Sequence, residues 1–461
     1  MAAARTKDAA DEGRSPELAE VYASIMARNP EHDFEPTLDR VRQACELLGD
    51  PQRAYRVVHL TGTNGKTSTA RMIESLVREQ GLRTGRFTSP HLTSVTERIA
   101  VDGEPLTEQR FVEVYRDVEP YIDMVDARSQ EAGGPRLSFF EVLTVMAFAA
   151  FADAPVDVAI VEVGMGGGWD STNVVDGDVA VVTPIAMDHA RWLGSTVVEI
   201  AHEKAGIIKP GATLVVGQQT EDVDAVLAQE ARERGATRTV RDGAELAVAQ
   251  RHVAVGGQLV DLSTPGGLYT EIFLPLHGAH QAHNALLALA ATEALITGGA
   301  ALPAQVVEAG FANATSPGRL EVVRSSPTIL VDAAHNPAGA EVLVDALDEA
   351  FSFTRLIGVV GLLEDKDAEG VLSVLEPVLA EIVVTQVTSV RSADVDDLFA
   401  LAEDVFGEGR VHLAPRLDAA LDIASTLAES EDTIGVGTGA GVIVTGSVVL
   451  AAEARVLLGR G

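Results

Sequence analysis

Residues 57–70 read VVHLTGTNGKTSTA, and this stretch decides the fold. An apolar run ends at Leu60, a glycine-containing turn follows, and a helical pattern begins near Thr67. The letters GKT at 65–67 match the end of the phosphate-loop pattern G-x-x-x-x-G-K-[ST], although Leu60 stands where that pattern has its first glycine. Because a strand, a glycine loop and a helix follow one another, the stretch predicts a nucleotide-binding loop in an α/β sheet.

The residue types in this loop suit phosphate chemistry. Gly62 and Gly65 allow backbone N–H groups to face phosphate oxygens, and Lys66 supplies a positive charge. The hydroxyl group of Thr67 is a ligand type that Mg²⁺ accepts. The alternative is a glycine turn that precedes a helix by chance, but the flanking strand and helix favour the nucleotide interpretation.

Length, charge and cysteine content narrow the class of protein. A chain of 461 residues is too long for one core and predicts two domains. A net charge of −33 argues against nucleic-acid or anionic-membrane partners, which select basic surfaces. The single cysteine favours a reducing, cytoplasmic location. The longest apolar run, at 142–151, is too short to span a membrane.

The strand and helix patterns predict an α/β fold with two domains. The runs VDVAIVEVG at 156–164 and GDVAVVTPIA at 177–186 are typical of buried parallel strands, whose carboxyl ends bind ligands. Residues 245–275 alternate in the manner of β-strands and predict a separate antiparallel segment. We therefore expect a doubly wound, mainly parallel sheet that carries the phosphate loop, followed by a smaller Rossmann-like α/β domain. The predicted bounds are a disordered tail at 1–20, the first domain at 21–316 and the second at 317–461.

Polar side chains follow three strands of the predicted sheet. Ser89 lies in FTSPHL, Glu162 in VEVGMGGGWDSTN and His189 in PIAMDHARWLG. Each alone is best explained as an ordinary loop residue. Since all three follow strand ends, we expect them to converge on Mg²⁺ beside the phosphates.

A family resemblance rests on a series of motifs in a fixed order. These are GTNGKTS, TSPHL, FEVLT, VEVGMGGGWDSTN, HEKAGIIKP, HGAHQAHNA, SPGRLE, VDAAHNPAGA and VTGS. The chain resembles folylpolyglutamate synthase, also called dihydrofolate synthase, a Mur ligase relative, from about residue 36 to its end. The absence of a glycine at position 60 is normal for that family. The resemblance implies that ATP phosphorylates the terminal carboxylate of a folate or dihydropteroate and that the amine of L-glutamate attacks the acyl phosphate.

The resemblance also implies a set of site residues. The nucleotide-binding residues are Gly62, Thr63, Asn64, Gly65, Lys66, Thr67, Asn284, Arg319 and Asp332, with His280 and Gln281 as weaker candidates. The ligands of two Mg²⁺ ions are Thr67, Ser89, Glu162, His189 and Lys204, the last as a carbamylated lysine. The substrate contacts are Phe140, Glu141, Trp169, Asp170, His335 and Asn336. The catalytic residues are Lys66, His189, Lys204 and His335.

Several of these assignments have structural alternatives. Lys204 has the alternative of a surface helix lysine, but it is one of only five lysines in the chain, which favours a function. Trp169 fits a core aromatic equally well. His277 and His283 are expected to be structural. Gly168 departs from the family pattern, which usually has arginine there, and this places the local loop geometry or an anion contact in question.

Two other functions compete with a folate ligase. A Mur-type ligase acting on another carboxylate would carry an extra N-terminal domain of about one hundred residues, more than the residues before the loop can form. A P-loop NTPase without ligase activity would have no use for the predicted metal cluster or the AHNP segment. We expect a monomer. The sequence leaves open whether dihydropteroate is accepted, how many glutamates are added and which folate form is preferred.

Overall fold

A computed structural model describes residues 15–29, 36–429 and 439–460. Residues 1–14 of the predicted tail lie outside the described residues. The rest of that prediction is wrong, because helix α1 spans Pro16–Met26 and the Ser15 side chain accepts a hydrogen bond from the Leu18 N–H at its start. The chain divides into two compact units, the first ending its main stretch at Thr315, and two short segments at 253–258 and 276–280 cluster with the second.

The first unit is built on an eight-stranded sheet with helices on its faces. The strands are β1 (Arg56–Thr61), β2 (Thr84–Phe87), β3 (Ile99–Val101), β4 (Glu104–Pro105), β5 (Val158–Glu162), β6 (Val179–Val182), β7 (Thr213–Val216) and β8 (Arg238–Arg241). Their order is β4-β3-β2-β5-β1-β6-β7-β8. All neighbours from β2 to β8 are parallel, whereas β3 is antiparallel to both β2 and β4.

Helices cover this sheet and bury its central strands. They are α2 (Asp39–Leu47), α3 (Lys66–Glu79), α4 (Glu108–Glu131), α5 (Phe139–Asp153), α6 (Ala190–Leu193), α7 (Val197–Lys204), α8 (Glu221–Arg234), α9 (Ala279–Thr297) and α10 (Ala304–Ala312). β5 and β6 are buried along their whole length, as expected for parallel strands with both faces covered. The predicted antiparallel segment at 245–275 forms a separate three-stranded sheet of β9 (Ala247–Ala254), β10 (Gly257–Thr264) and β11 (Gly267–Leu274).

The second unit contains a six-stranded sheet in the order β12-β13-β17-β14-β15-β16. Its strands are β12 (Glu321–Ser325), β13 (Thr328–Val331), β14 (Arg355–Val360), β15 (Glu381–Val384), β16 (Val411–Leu413) and β17 (Ala440–Thr445). Its helices are α11 (Pro337–Ala350), α12 (Ala368–Leu375), α13 (Val395–Phe406), α14 (Leu417–Glu429) and α15 (Val448–Leu457). Only β12 pairs antiparallel.

Both units confirm the predicted α/β class, with a larger, mainly parallel sheet in the first and a smaller one in the second. Within the three described stretches, no helix combines the length and the apolar character needed to cross a membrane.

Candidate active site

The sheet of the first unit brings the predicted polar residues to one edge. β2, β5, β1 and β6 are consecutive neighbours and run parallel, so their carboxyl ends lie side by side. Ser89 follows β2, Glu162 ends β5, and His189 lies in the segment after β6. The phosphate loop at 62–65 follows β1 between them. This edge is where ligands bind in open parallel sheets.

Two glycines of the phosphate loop lie where a side chain cannot be placed. Gly62 has φ +142°, and a Cβ there would lie 1.9 Å from the Thr183 Oγ1 atom. Gly65 begins α3 with φ +89°, and a Cβ there would lie 2.5 Å from the Asn284 Oδ1 atom. The left-handed conformation favours glycine at both positions. Asn284 therefore packs directly against the loop, and its contact with a nucleotide remains a prediction.

The middle of the loop is fastened to the segment after β6. The N–H groups of Thr63 and Asn64 both donate to the Pro184 carbonyl, at 3.0 and 3.4 Å. The Thr63 hydroxyl donates to the Ala186 carbonyl and accepts from the Ala186 N–H, each at 3.0 Å. These bonds fix the shape of the loop. Nucleotide contacts by Thr63 and Asn64 remain predictions.

Two lysines converge on one carbonyl oxygen of the loop. Lys66 Nζ donates to the Gly62 carbonyl at 3.1 Å, and Lys204 Nζ donates to the same oxygen at 2.8 Å. Lys204 is buried, with 4% of its surface exposed, which excludes the surface-lysine alternative. Burial and, to a lesser extent, the nearby Lys66 charge lower the pKa of Lys204 from 10.5 to about 7. A large fraction of this amine is therefore neutral near pH 7.

Thr67 and Glu162 form a hydroxyl–carboxylate pair beside the lysines. The Thr67 hydroxyl lies 3.0 and 2.9 Å from the two Glu162 carboxylate oxygens. Glu162 is only 1% exposed, so its carboxyl group is shielded from water. Hydroxyl and carboxylate oxygens are ligands that Mg²⁺ prefers.

His189 and Ser89 complete the predicted metal set. His189 has φ +50°, and its N–H donates to the Asp188 carboxylate at 2.8 Å, which fixes this turn before α6. Ser89 is half-buried. In the described parts of the chain, no group of three or more His, Cys, Asp or Glu residues is arranged to hold a metal. The predicted set includes only two residues of those types, Glu162 and His189, so its assignment remains a prediction.

Phe140 and Glu141, predicted to contact the pterin, have clear structural roles at the start of α5. Phe140 is buried and stacks on Phe87, with ring centroids 5.4 Å apart. The Glu141 carboxylate accepts from Arg40 Nε at 3.0 Å and from the Ser138 N–H at 2.7 Å. This ion pair and helix cap account for Glu141, and substrate contact by either residue remains a prediction.

The glycine-rich segment after β5 carries the other predicted pterin contacts. Trp169 is half-buried, and its backbone N–H donates to the Glu203 carboxylate at 3.2 Å. Asp170 is buried and accepts from the N–H groups of Met165 and Thr172, at 3.0 and 2.9 Å. Burial raises the pKa of Asp170 to about 6 despite these hydrogen bonds. Asp170 therefore orders its own loop in addition to any contact with substrate.

Gly168 faces a carboxylate. A Cβ there would lie 3.2 and 3.5 Å from the two Glu203 carboxylate oxygens. Burial raises the pKa of Glu203, against the opposing effect of the backbone N–H groups around it. An arginine at position 168 would thus lie close to the Glu203 carboxylate. With glycine at this position, that carboxylate accepts a hydrogen bond from the backbone N–H of Trp169.

The histidines of HGAHQAHNA have separate roles. His283 Nδ1 lies 2.6 Å from the Asp242 carboxylate. The His277 ring, which clusters with the second unit, packs on Phe351 of that same unit, with centroids 5.2 Å apart. These contacts give both residues structural roles. Asn284 Nδ2 donates to Gln281 Oε1 at 3.1 Å, which orients the Asn284 oxygen toward Gly65.

In the second unit, the predicted residues cluster after β13. Asp332 is buried, and its two oxygens accept from the N–H groups of Leu320 and Ala334, each at 2.7 Å. Burial raises the pKa of Asp332, although the nearby Arg319 charge opposes this. The Asp332 carboxylate therefore ties the turn after Arg319 to the end of β13.

His335 and Asn336 follow in the same turn. His335 Nδ1 lies 2.9 Å from the Ala333 carbonyl, which can only accept, so Nδ1 carries a proton. Asn336 caps α11 by accepting from the Gly339 N–H at 2.8 Å. The roles of these residues toward substrate remain predictions.

Asn173 was missed as a functional candidate. Its motif, DSTN, was recognised, but nothing in the sequence indicates that its amide donates to the carbonyls of both Gly168 and Gly206, at 2.9 and 3.1 Å. Because this bridge joins segments that are distant in the sequence, no local sequence pattern indicates it.

Comparisons with known proteins agree with the motifs. Residues 60–292 match the family model of the Mur ligase middle domain, and residues 318–441 match that of the Mur ligase, glutamate ligase domain. The chain is 49% identical over 459 residues to a Mycobacterium tuberculosis protein named dihydrofolate synthase/folylpolyglutamate synthase, covering 96% of this chain and 94% of that protein. An Escherichia coli protein of the same name is 34% identical over 397 residues, covering 86% and 87%.

Solved structures show the same likeness. The folylpolyglutamate synthase of M. tuberculosis complexed with ADP has a TM-score of 0.92 at 49% identity, covering 96% of this chain and 99% of that chain. An E. coli protein in complex with DHPP and ADP has a TM-score of 0.81 at 31% identity, covering 96% and 97%.

Proposed function

The chain belongs to the folylpolyglutamate synthase and dihydrofolate synthase family of Mur ligases, and on that premise we propose that it uses ATP to join L-glutamate to the terminal carboxylate of a folate. One observation carries this proposal beyond family membership. Lys66 and Lys204 meet at the Gly62 carbonyl beside the Thr67–Glu162 pair, which combines phosphate-binding and cation-binding groups at one sheet edge.

The reaction proceeds in two steps. A carboxylate oxygen of the acceptor attacks the γ-phosphorus of ATP, the bond to ADP breaks, and an acyl phosphate forms. The amine of glutamate then attacks the acyl carbon, phosphate leaves with that oxygen, and the nitrogen loses a proton. ATP is needed because a carboxylate is a poor acylating agent. The main work of the protein is to hold the groups in line and to stabilise the transferring charge.

The residues at the phosphate loop suit the binding of ATP with Mg²⁺. Thr67 and Glu162 offer hydroxyl and carboxylate oxygens, which are ligand types that Mg²⁺ prefers. With Ser89 and His189 from neighbouring strand ends, they would hold the first ion. Mg²⁺, when bound, supplies positive charge to the transferring phosphoryl group. Lys66, whose Nζ lies at the loop, supplies a further positive charge from the protein itself.

Lys204 is proposed to become carbamylated and to support a second ion. A neutral amine attacks CO₂, a C–N bond forms, and a proton is released, which turns the side chain into an anion. The lowered pKa of Lys204, about 7, favours the neutral amine that this step requires. Its buried position beside Lys66 provides a positive neighbour for the new anion.

The acceptor and the amino acid are proposed to use different groups. The pteroyl group of the acceptor is proposed to bind beside the glycine-rich segment that follows Glu162. Phe140, Trp169 and Asp170 line or support this segment. In the second unit, His335 and Asn336, in the turn at the start of α11, are proposed to contact the incoming glutamate. We also propose that the protein is a cytoplasmic monomer; the single cysteine supports the reducing compartment.

The test is an assay with ATP, Mg²⁺, L-glutamate and either dihydropteroate or a reduced folate. ADP release is followed together with the mass of the product. We expect ADP formation that requires both glutamate and the acceptor, with one glutamyl residue added to the acceptor. ATP hydrolysis that is indifferent to glutamate would indicate an NTPase, and turnover with a different carboxylate alone would indicate another Mur-type ligase.

A further inference from the structure

Two stretches of main chain touch one another behind Lys204. A Cβ on Gly206 would lie 2.2 Å from the Gly168 Cα atom, and a Cβ on Gly167 would lie 2.7 Å from the Lys204 carbonyl oxygen. Neither separation is possible for a real side chain. Because only glycine permits this approach, the glycine-rich segment after β5 and the segment that carries Lys204 are packed backbone to backbone.

One buried amide bridges the two stretches. Asn173 is 7% exposed, and its Nδ2 donates to the Gly168 carbonyl at 2.9 Å and to the Gly206 carbonyl at 3.1 Å. The carbonyl of Asn173 accepts from Lys209 Nζ at 2.9 Å, which holds Asn173 in turn. The side-chain amide of Asn173 thus donates one hydrogen bond to each of the two segments.

Glu203 provides a second connection across the same contact. Its carbonyl accepts from the Gly168 N–H at 3.0 Å, and its carboxylate accepts from the Trp169 N–H at 3.2 Å. Glu203 directly precedes Lys204 in α7. The position of the Lys204 backbone is therefore fixed by bonds that do not involve the Lys204 side chain.

The position of the Lys204 amine at the phosphate loop depends on these backbone contacts. Its Nζ lies 2.8 Å from the Gly62 carbonyl, and a shift of its backbone by one ångström would lengthen or break that bond. We propose that Asn173, supported by Glu203, is a positioning residue that holds Lys204 at the phosphate loop during glutamate ligation. This inference rests on the proposed function, since it assigns Asn173 to the chemistry of Lys204.

The experiment compares Asn173→Ala, Lys204→Ala and the double variant with the unmodified protein. Loss of a residue that orients a functional group lowers turnover by about 10- to 100-fold. We expect kcat of Asn173→Ala to fall by that factor while KM for ATP stays within about threefold, because the Gly62–Thr67 loop keeps its own bonds. In the Lys204→Ala background, Asn173→Ala should cause no further loss of kcat.

A second readout does not depend on activity. Hydrogen exchange of the peptides that contain Gly168 and Gly206 should accelerate in Asn173→Ala, with the peptide of β1 unchanged. Gln258→Ala is the matched control, because Gln258 is also a buried amide whose Nε2 donates to two carbonyls, those of Leu276 and Gly278, at 2.8 and 2.9 Å. Its effect on kcat, whatever its size, should add to that of Lys204→Ala.

The outcomes separate this inference from the proposed function. Unchanged kcat in folded Asn173→Ala, or a loss that is repeated in full in the Lys204→Ala background, would overturn the positioning role. If Asn173→Ala does not fold, Asn173→Leu, which keeps the side-chain size but removes both amide donors, is judged by the same two criteria. Absence of glutamate-dependent turnover in the unmodified protein would refute the proposed function instead.

Discussion

Replacing Gly65 by alanine tests the geometry of the phosphate loop. Gly65 has φ +89°, and the added Cβ would lie 2.5 Å from Asn284 Oδ1. A non-glycine residue in the left-handed region costs about 1–3 kcal/mol, and overpacking against a buried neighbour adds about 1–3 kcal/mol. Since about 1.4 kcal/mol changes a binding constant tenfold, even the overpacking part alone predicts ATP binding about 10- to 100-fold weaker, if the loop relaxes by moving.

The assay is calorimetric titration with ATP and Mg²⁺, combined with urea unfolding. Gly81→Ala is the control, because Gly81 follows the other end of α3 with φ +78° and has nothing within 4 Å of its Cβ position. It should destabilise by about 1 kcal/mol and leave ATP affinity unchanged. Asn284→Ala combined with Gly65→Ala should recover part of the stability by removing the overlapping oxygen. Equal ATP affinity and equal urea midpoints in Gly65→Ala and Gly81→Ala would refute the reasoning.

Two further variants address charge at the same site. The folded-state pKa of Lys204, about 7, is below the ordinary 10.5, so the unfolded chain binds more protons between these values and Lys204 makes stability rise with pH there. Urea unfolding in CO₂-free buffer from pH 7 to 10 should show the unmodified protein gaining stability relative to Lys204→Met; parallel curves would contradict the lowered pKa. Gly168→Arg places a cation beside Glu203; because this segment is proposed to contact the anionic acceptor, KM for the acceptor should fall about three- to tenfold relative to uncharged Gly168→Gln. Unchanged KM and kcat would remove any role for this position.

The sequence predicts those features that local patterns encode. The strand at 156–164 appears as Val158–Glu162 and the strand at 177–186 as Val179–Val182, because β-branched runs between polar turns identify buried strands. The loop at 62–65 follows β1 and begins α3, as its glycines and lysine indicate. The pairing of β5 with β1, which the structure shows, places Glu162 beside the loop.

Long-range contacts were beyond the reach of such patterns. No sequence pattern indicates that the Glu141 carboxylate pairs with Arg40, which lies 101 residues away in the chain. Asn173 bridges to Gly206 across 33 residues. Each depends on which surfaces pack together, and motif spacing carries no record of that packing. The helix at Pro16–Met26 was missed because its short apolar pattern follows a polar segment that resembles a tail.

Transfer of oxygen from the acceptor to phosphate tests the central claim most directly. A folate labelled with ¹⁸O in its terminal carboxylate is incubated with ATP, Mg²⁺ and L-glutamate, and the released phosphate is analysed by mass spectrometry. If an acyl phosphate forms, phosphate leaves with one oxygen of that carboxylate, and each turnover yields one ¹⁸O atom in phosphate. Glutamate-dependent ADP formation with unlabelled phosphate would contradict activation of the carboxylate by phosphorylation.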